Sequence, residues 1–177
     1  MKKFTLTSLK RELREKTKEE LIKEISLLCK KFPQVKGYYQ AQAGDVQEIV
    51  AKCKKIIEKE FIDGKTRGLP KARLSVAKKA IRDFNRLVDN VELTAGMMFT
   101  YTESVSQFNS RFAPDTEEFY TEPEDMFEEA LELLAQHNLL AKFKNRACKI
   151  VAGSTEGWGH RDSLQERYEA VYGEQVY

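Results

Sequence analysis

The sequence predicts an all-α protein: about seven mostly antiparallel amphipathic helices in one domain spanning 1–177, as an irregular bundle or a short superhelical stack of helix pairs. Three observations predict it. Apolar residues recur at a period near 3.6 through most of the chain. The links between periodic stretches are short. No two segments make strands that could satisfy each other's backbone groups.

Thr17 with Glu20 forms a capping box, and behind it Leu21, Ile22, Ile25, Leu28, Cys29 and Phe32 share one helical face up to Pro33. With the shorter stretch Leu6 to Leu13 ahead of it, this has the outline of a helix-turn-helix pair, although the turn has no glycine and both helices mix acidic and basic residues. A short tyrosine-containing segment (Val35, Tyr38, Tyr39) follows. Asp45 is placed to cap the next helix, whose apolar residues Val46, Ile49, Val50, Cys53, Ile56, Ile57 and Phe61 fit the helical period closely. Gly64 and Gly68 mark a loop from Ile62 to Leu69.

The cleanest periodicity runs from Pro70 to about Asp89, burying Val76, Ala77, Ala80, Ile81, Phe84, Leu87 and Val88. Val91 to Thr102 alternates as a strand would but also keeps helical spacing; a solitary strand has no partner, so it is assigned to a helix. Pro123 is placed at the first turn of a helix carrying Met126, Phe127, Ala130, Leu131, Leu134 and His137. Another carries Leu139, Leu140, Phe143, Ala147, Ile150 and Val151, and a last one starts near Asp162 with Leu164, Tyr168, Val171 and Tyr172.

A chain of 177 residues can bury about 70% of its unfolded surface without staples. Cys29, Cys53 and Cys148 are odd in number, widely spaced and without a CxxC, so neither a disulfide framework nor a zinc site is suggested. The N-terminus lacks the apolar run of a secretory signal, and no stretch approaches 18 uncharged apolar residues. A cytoplasmic protein with no membrane association is expected.

The opening SLKRELREKTKEELIKEI, the following KKFPQVKGYY and the closing GWGHRDSLQERY resemble an uncharacterised family of small all-helical bacterial proteins, a domain of unknown function. The resemblance lies mainly in the two ends. It implies an all-α fold and transfers no catalytic residue.

Charge is segregated along the chain. Residues 1–86 hold 23 Lys and Arg against 11 Asp and Glu, a net +12, whereas residues 87–177 hold 7 against 17, a net −10. The sharpest basic feature is a helix face made by Lys71, Lys78, Lys79, Arg82 and Arg86, opposite the apolar side. Such a stripe can neutralise phosphates, but amphipathicity alone also produces it, and no aromatic residues interleave to stack on bases. The acidic counterpart is Asp115 to Glu132, with nine carboxylates and no Lys or Arg, of which Asp125, Glu129 and Glu132 are expected to face water. Neither His137 nor His160 has a glutamate three residues before it, so a di-metal carboxylate bundle is not supported.

The loop GSTEGWGHR brings Trp158, His160 and Arg161 together. Its glycines could let a ligand approach, but a lone tryptophan there is expected to fold back and plug the end of the core. His137 reads as a dipole or packing residue near a helix end. Gly64, Lys65 and Thr66 imitate the tail of a phosphate-binding loop, but Lys59 stands where its first glycine belongs.

These observations lead to a non-enzymatic protein that binds another macromolecule, with self-association its simplest form and opposite-sign surfaces guiding the encounter. Nucleic-acid binding by the basic face is the alternative. No cofactor is implied, and an enzyme built around Trp158 is the third possibility. A basic face covered by the acidic helix would make the charges internal complements and remove the motive for the first two.

Overall fold

Helices dominate the described residues, 4–43, 46–62 and 69–176, of the computed structural model, and no strand is present among them. The chain divides into two units, Met1–Asp45 and Val46–Tyr177. The Gly64, Lys65, Thr66 stretch and the capping role of Asp45 lie outside the described residues.

The first unit holds α1 (Leu6–Arg14), α2 (Lys18–Lys31) and α3 (Pro33–Gln42). α1 starts with a reciprocal cap: Ser8 N–H donates to Thr5 Oγ1 at 3.1 Å and Thr5 N–H donates to Ser8 Oγ at 3.2 Å. In α2 the capping box read from Thr17 and Glu20 is formed, with Thr17 N–H donating to Glu20 Oε2 at 2.8 Å. Pro33 ends α2 but also opens α3, because a first helical turn needs no N–H from proline. The tyrosine segment expected as a link is therefore a helix that packs on α2.

The second unit holds α4 (Val46–Phe61), α5 (Leu74–Leu87), α6 (Val91–Phe112), α7 (Glu118–Gln136), α8 (Leu140–Ala152) and α9 (His160–Tyr172), with a 3-10 turn at Gly157–Gly159. Nine α-helices among the described residues replace the expected seven. α6 is the axis, and α4, α5, α7 and α8 all pack on it. Its aromatic residues join the layers: Phe99 packs on Phe127 of α7 and Phe143 of α8, while Tyr101 and Phe108 meet Phe61 of α4 edge-on. Arg146 of α8 fixes the other side of α6, donating to both carboxylate oxygens of Glu103, to the Gly96 carbonyl and to Thr100 Oγ1. Glu60, buried at the end of α4, receives a two-pronged ion pair from Arg73 just ahead of α5.

Pro123 does not begin a helix. It lies inside α7, five residues beyond the first. Proline there removes the N–H that would bond to the Phe119 carbonyl. Asn109 of α6 fills the gap, its Nδ2 donating to Phe119 O at 2.7 Å. The Pro123 carbonyl in turn accepts from Thr102 Oγ1 at 3.2 Å. A helix interrupted by proline is thus stabilised from outside by polar side chains of its neighbour.

Candidate functional site

The basic face expected on the third strong helix is not presented as one surface. Lys71 lies ahead of α5, in an exposed non-helical stretch. Lys78 is ion-paired with Glu122 of α7. Lys79 and Arg86 both turn to Asp83 of their own helix, at 3.3 and 3.5 Å. Arg82 and Lys78 share a groove of about 320 Å³ with Glu122, Asp125 and Glu129. The basic helix and the acidic helix therefore line the same groove, and at Lys78 the charges are internal complements. Asp125, Glu129 and Glu132 do face water.

The three candidate loop residues part company. Trp158 does not plug the core: it is 59% exposed and lies flat against Tyr120, with ring centroids 5.7 Å apart. Its φ of 57° is in the left-handed region, which holds the indole outward at a cost of about 1–2 kcal/mol. Arg161 turns back to α8, donating to the Ala152 carbonyl and pairing with Glu156 at 3.4 Å. It satisfies carbonyls at a helix C-terminus, where a cation is favoured. His137 caps α7 and is exposed rather than packed.

His160 is 0% exposed. Its Nδ1 lies 2.7 Å from Glu124 Oε1 and its Nε2 lies 2.9 Å from Ser106 Oγ. With Glu124 as a carboxylate, Nδ1 carries the proton and Nε2 accepts from the Ser106 hydroxyl. Glu124 Oε2 accepts from Ser163 Oγ at 2.7 Å, and Arg167 lies 4.0 Å away. Tyr120 closes the cluster edge-on to the imidazole at 5.9 Å.

Serine, histidine and carboxylate in this order have the polarity of a nucleophile, its base and an orienting acid. The surroundings lack what acyl transfer needs. Ser106 is 3% exposed and sits in the interior of α6, where its N–H belongs to the helix ladder and cannot serve a developing oxyanion. The cluster instead joins α6, α7 and α9 at one buried point. Thr102, Ser106 and Asn109 are four and three residues apart on one face of α6, and each meets a polar group of α7 or α9. That spacing was the signal available in the sequence, hidden because α6 reads as apolar. Among the described residues no three His, Cys, Asp or Glu side chains are grouped to hold a metal ion.

The model of a family of unknown function, DUF6155, matches residues 4–173. The chain belongs to this family. No curated protein and no solved structure matches this DUF6155 chain. The match spans both units and includes all three ends of the buried Ser106, His160 and Glu124 cluster. No described helix is long and apolar enough to cross a membrane.

The remaining surface with an unanswered physical demand in this DUF6155 protein is the first unit. Ile22 is 54% exposed and Leu27 62%, and Ile25, Leu28 and Phe32 are also exposed on α2. No described side chain of this unit larger than alanine is buried; among the glycines Gly37 is. The face that periodicity assigned to the core from Leu21 to Phe32 is open or half-covered along its length.

Proposed function

We propose that this DUF6155 protein acts by binding another protein through the apolar face of its N-terminal helices, and that the net positive charge of residues 1–45 orients the encounter. The observation that carries the reading is the exposed Ile22, Ile25, Leu28 and Phe32 stripe on α2. A contiguous apolar face on a small helical unit is costly to leave in water at about 25 cal/mol per Å², and it marks an interaction surface. Units below about 70–80 residues rarely hold together on their own core, and this one spans 45 with the single cysteine Cys29. Residues 1–45 carry 11 basic against 6 acidic side chains, a net +5, so the complementary partner surface is an apolar groove with an acidic rim.

Nucleic-acid binding by Lys71, Lys78, Lys79, Arg82 and Arg86 is the weaker reading, because Lys78 faces Glu122 and two others share Asp83. A photocrosslinking residue placed at Ile22, with a control at exposed Lys149 of α8, tests the preferred one in cells. The expected result is a discrete protein adduct from position 22, lost on Leu28→Asp, whose crosslinked peptide comes from an acidic-rimmed apolar surface. Adducts to nucleic acid, identical adducts from both positions, or none from position 22 would overturn it.

A further inference from the structure

A groove of about 440 Å³ runs between α7 and α9 of the second unit. Its floor is apolar, made by Leu131, Ala170 and Val171, and its edges carry Glu128 and Glu132 from α7 and Glu166 from α9. Arg167 lies at one end and is already engaged, donating from Nε to Glu128 Oε2 at 3.0 Å and reaching Ser163. Among the described residues neither Glu132 nor Glu166 has an ion-pair partner, and both are exposed. The groove thus presents an oily floor between two unneutralised carboxylates.

α1 has the complementary pattern. Leu6, Leu9 and Leu13 lie on one side of this helix, and Leu6 is 71% exposed. Lys10 and Arg14 border that strip one turn apart, and neither has an ion-pair partner among the described residues. Residues four apart on a helix are separated by about 6 Å along its axis. Lys10 and Arg14 are also only about 40° apart around the helix, so both lie on one flank of the strip and are spaced to meet carboxylates along one acidic edge of the groove while exposed Leu6 and Phe4 reach its floor.

Resting on the binding role proposed above, we infer that the partner is a second copy of this chain: α1 of one copy docks in the α7–α9 groove of the next. The contact is head-to-tail, joining two different surfaces, so it builds closed rings, of which a reciprocal pair is the smallest, or open chains. Charge supplies orientation, and the association weakens as salt rises. A single helix in a groove buries less than a standard interface, so association is concentration-dependent.

The test uses the full chain in sedimentation equilibrium at about 20 mM and about 500 mM salt, where screening lengths lie on either side of about 10 Å. One variant carries Glu132→Lys and Glu166→Lys, the other Lys10→Glu and Arg14→Glu. At low salt the wild type is expected to exceed the 20.5 kDa of one chain by about twofold or more, and to return toward it at high salt. Each variant alone is expected to remain at one chain, and an equimolar mixture to associate again, because reversed groove and reversed helix match. Glu132→Gln with Glu166→Gln, which adds no charge to the fold, is expected to weaken association as well. A wild type of one-chain mass throughout, unaltered association in the single variants, or a mixture that stays apart would overturn self-docking. If the Ile22 crosslink then falls on the acidic-rimmed groove of a different protein, the binding role stands without self-docking; if it also fails, both are contradicted.

Discussion

α2 and α7 are written in the same language, yet only one of them is buried. Both begin with acidic residues, and both carry an apolar face at helical spacing. α7 seals Phe127, Ala130, Leu131 and Leu134 against the second unit's interior, whereas Ile22, Ile25, Leu28 and Phe32 of α2 stay open to solvent. Periodicity states that a helix has an apolar side. It does not state what covers that side. The difference separates a region that is stabilised by its own chain from one whose apolar surface is available to another.

Identical truncations are the strongest way to break this contrast. Leu134→Ala and Phe127→Ala are expected to cost about 3–5 kcal/mol in urea unfolding, since each removes a fully buried side chain from a packed core. Ile22→Ala and Leu27→Ala are expected to change stability by no more than about 0.5 kcal/mol. Comparable losses in both regions would mean that the α2 face is packed within the chain.

The buried polar cluster sharpens the same point at a somewhat smaller scale. His160→Ala removes the main partner of a buried carboxylate, and a loss of about 3 kcal/mol is expected in the same assay. Ser106→Ala is expected to cost about 1 kcal/mol, and a fluorophosphonate probe should leave Ser106 of the folded protein unlabelled. Labelling at Ser106 would turn the clamp into an active site.

Next in size is the proline inside α7. Asn109→Ala is expected to cost about 1–2 kcal/mol, because it strips the Phe119 carbonyl of its donor. The same change should cost distinctly less when combined with Pro123→Ala, whose restored N–H can serve that carbonyl. Strict additivity in this cycle would show that Asn109 and Pro123 are unrelated.

The smallest effect concerns pH. Hydrogen bonding and charge from Arg73 hold the Glu60 carboxyl below its ordinary value of 4.5. A carboxylate lowered in the folded state adds stability that is complete above 4.5 and is lost as pH falls through the lower folded value. Acid unfolding followed by circular dichroism should therefore flatten below 4.5 in Glu60→Gln relative to the wild type. An unchanged profile would remove this ion pair from the acid response.

Much of the fold was written locally. The Thr17 and Glu20 cap, the spacing from Val46 to Phe61 and the helical reading of Val91 to Thr102 all appear in the structure because each depends on residues within a few turns. α3 was not legible, since Pro33 reads equally as a stop and a start and the following PQVKGYYQAQ has little apolar sidedness. Pro123 was misplaced because its compensation comes from Asn109, fourteen positions away on another helix. The site was less legible still. Ser106 and His160 are 54 residues apart, and their pairing is a product of tertiary packing rather than of any motif. The charge halves were visible, but their partial cancellation at Lys78 and Glu122 required knowing that α5 and α7 share a groove.

Amide hydrogen exchange of the full chain, compared between dilute protein in high salt and concentrated protein in low salt, tests the account most directly. The account predicts strong protection of α6 in both states, weak protection of α1 and α2 in the dilute state, and a gain on association confined to α1, α2 and the α7–α9 groove. Amides of α1 and α2 as protected as those of α6 in the dilute state, with no change on concentration, would contradict it.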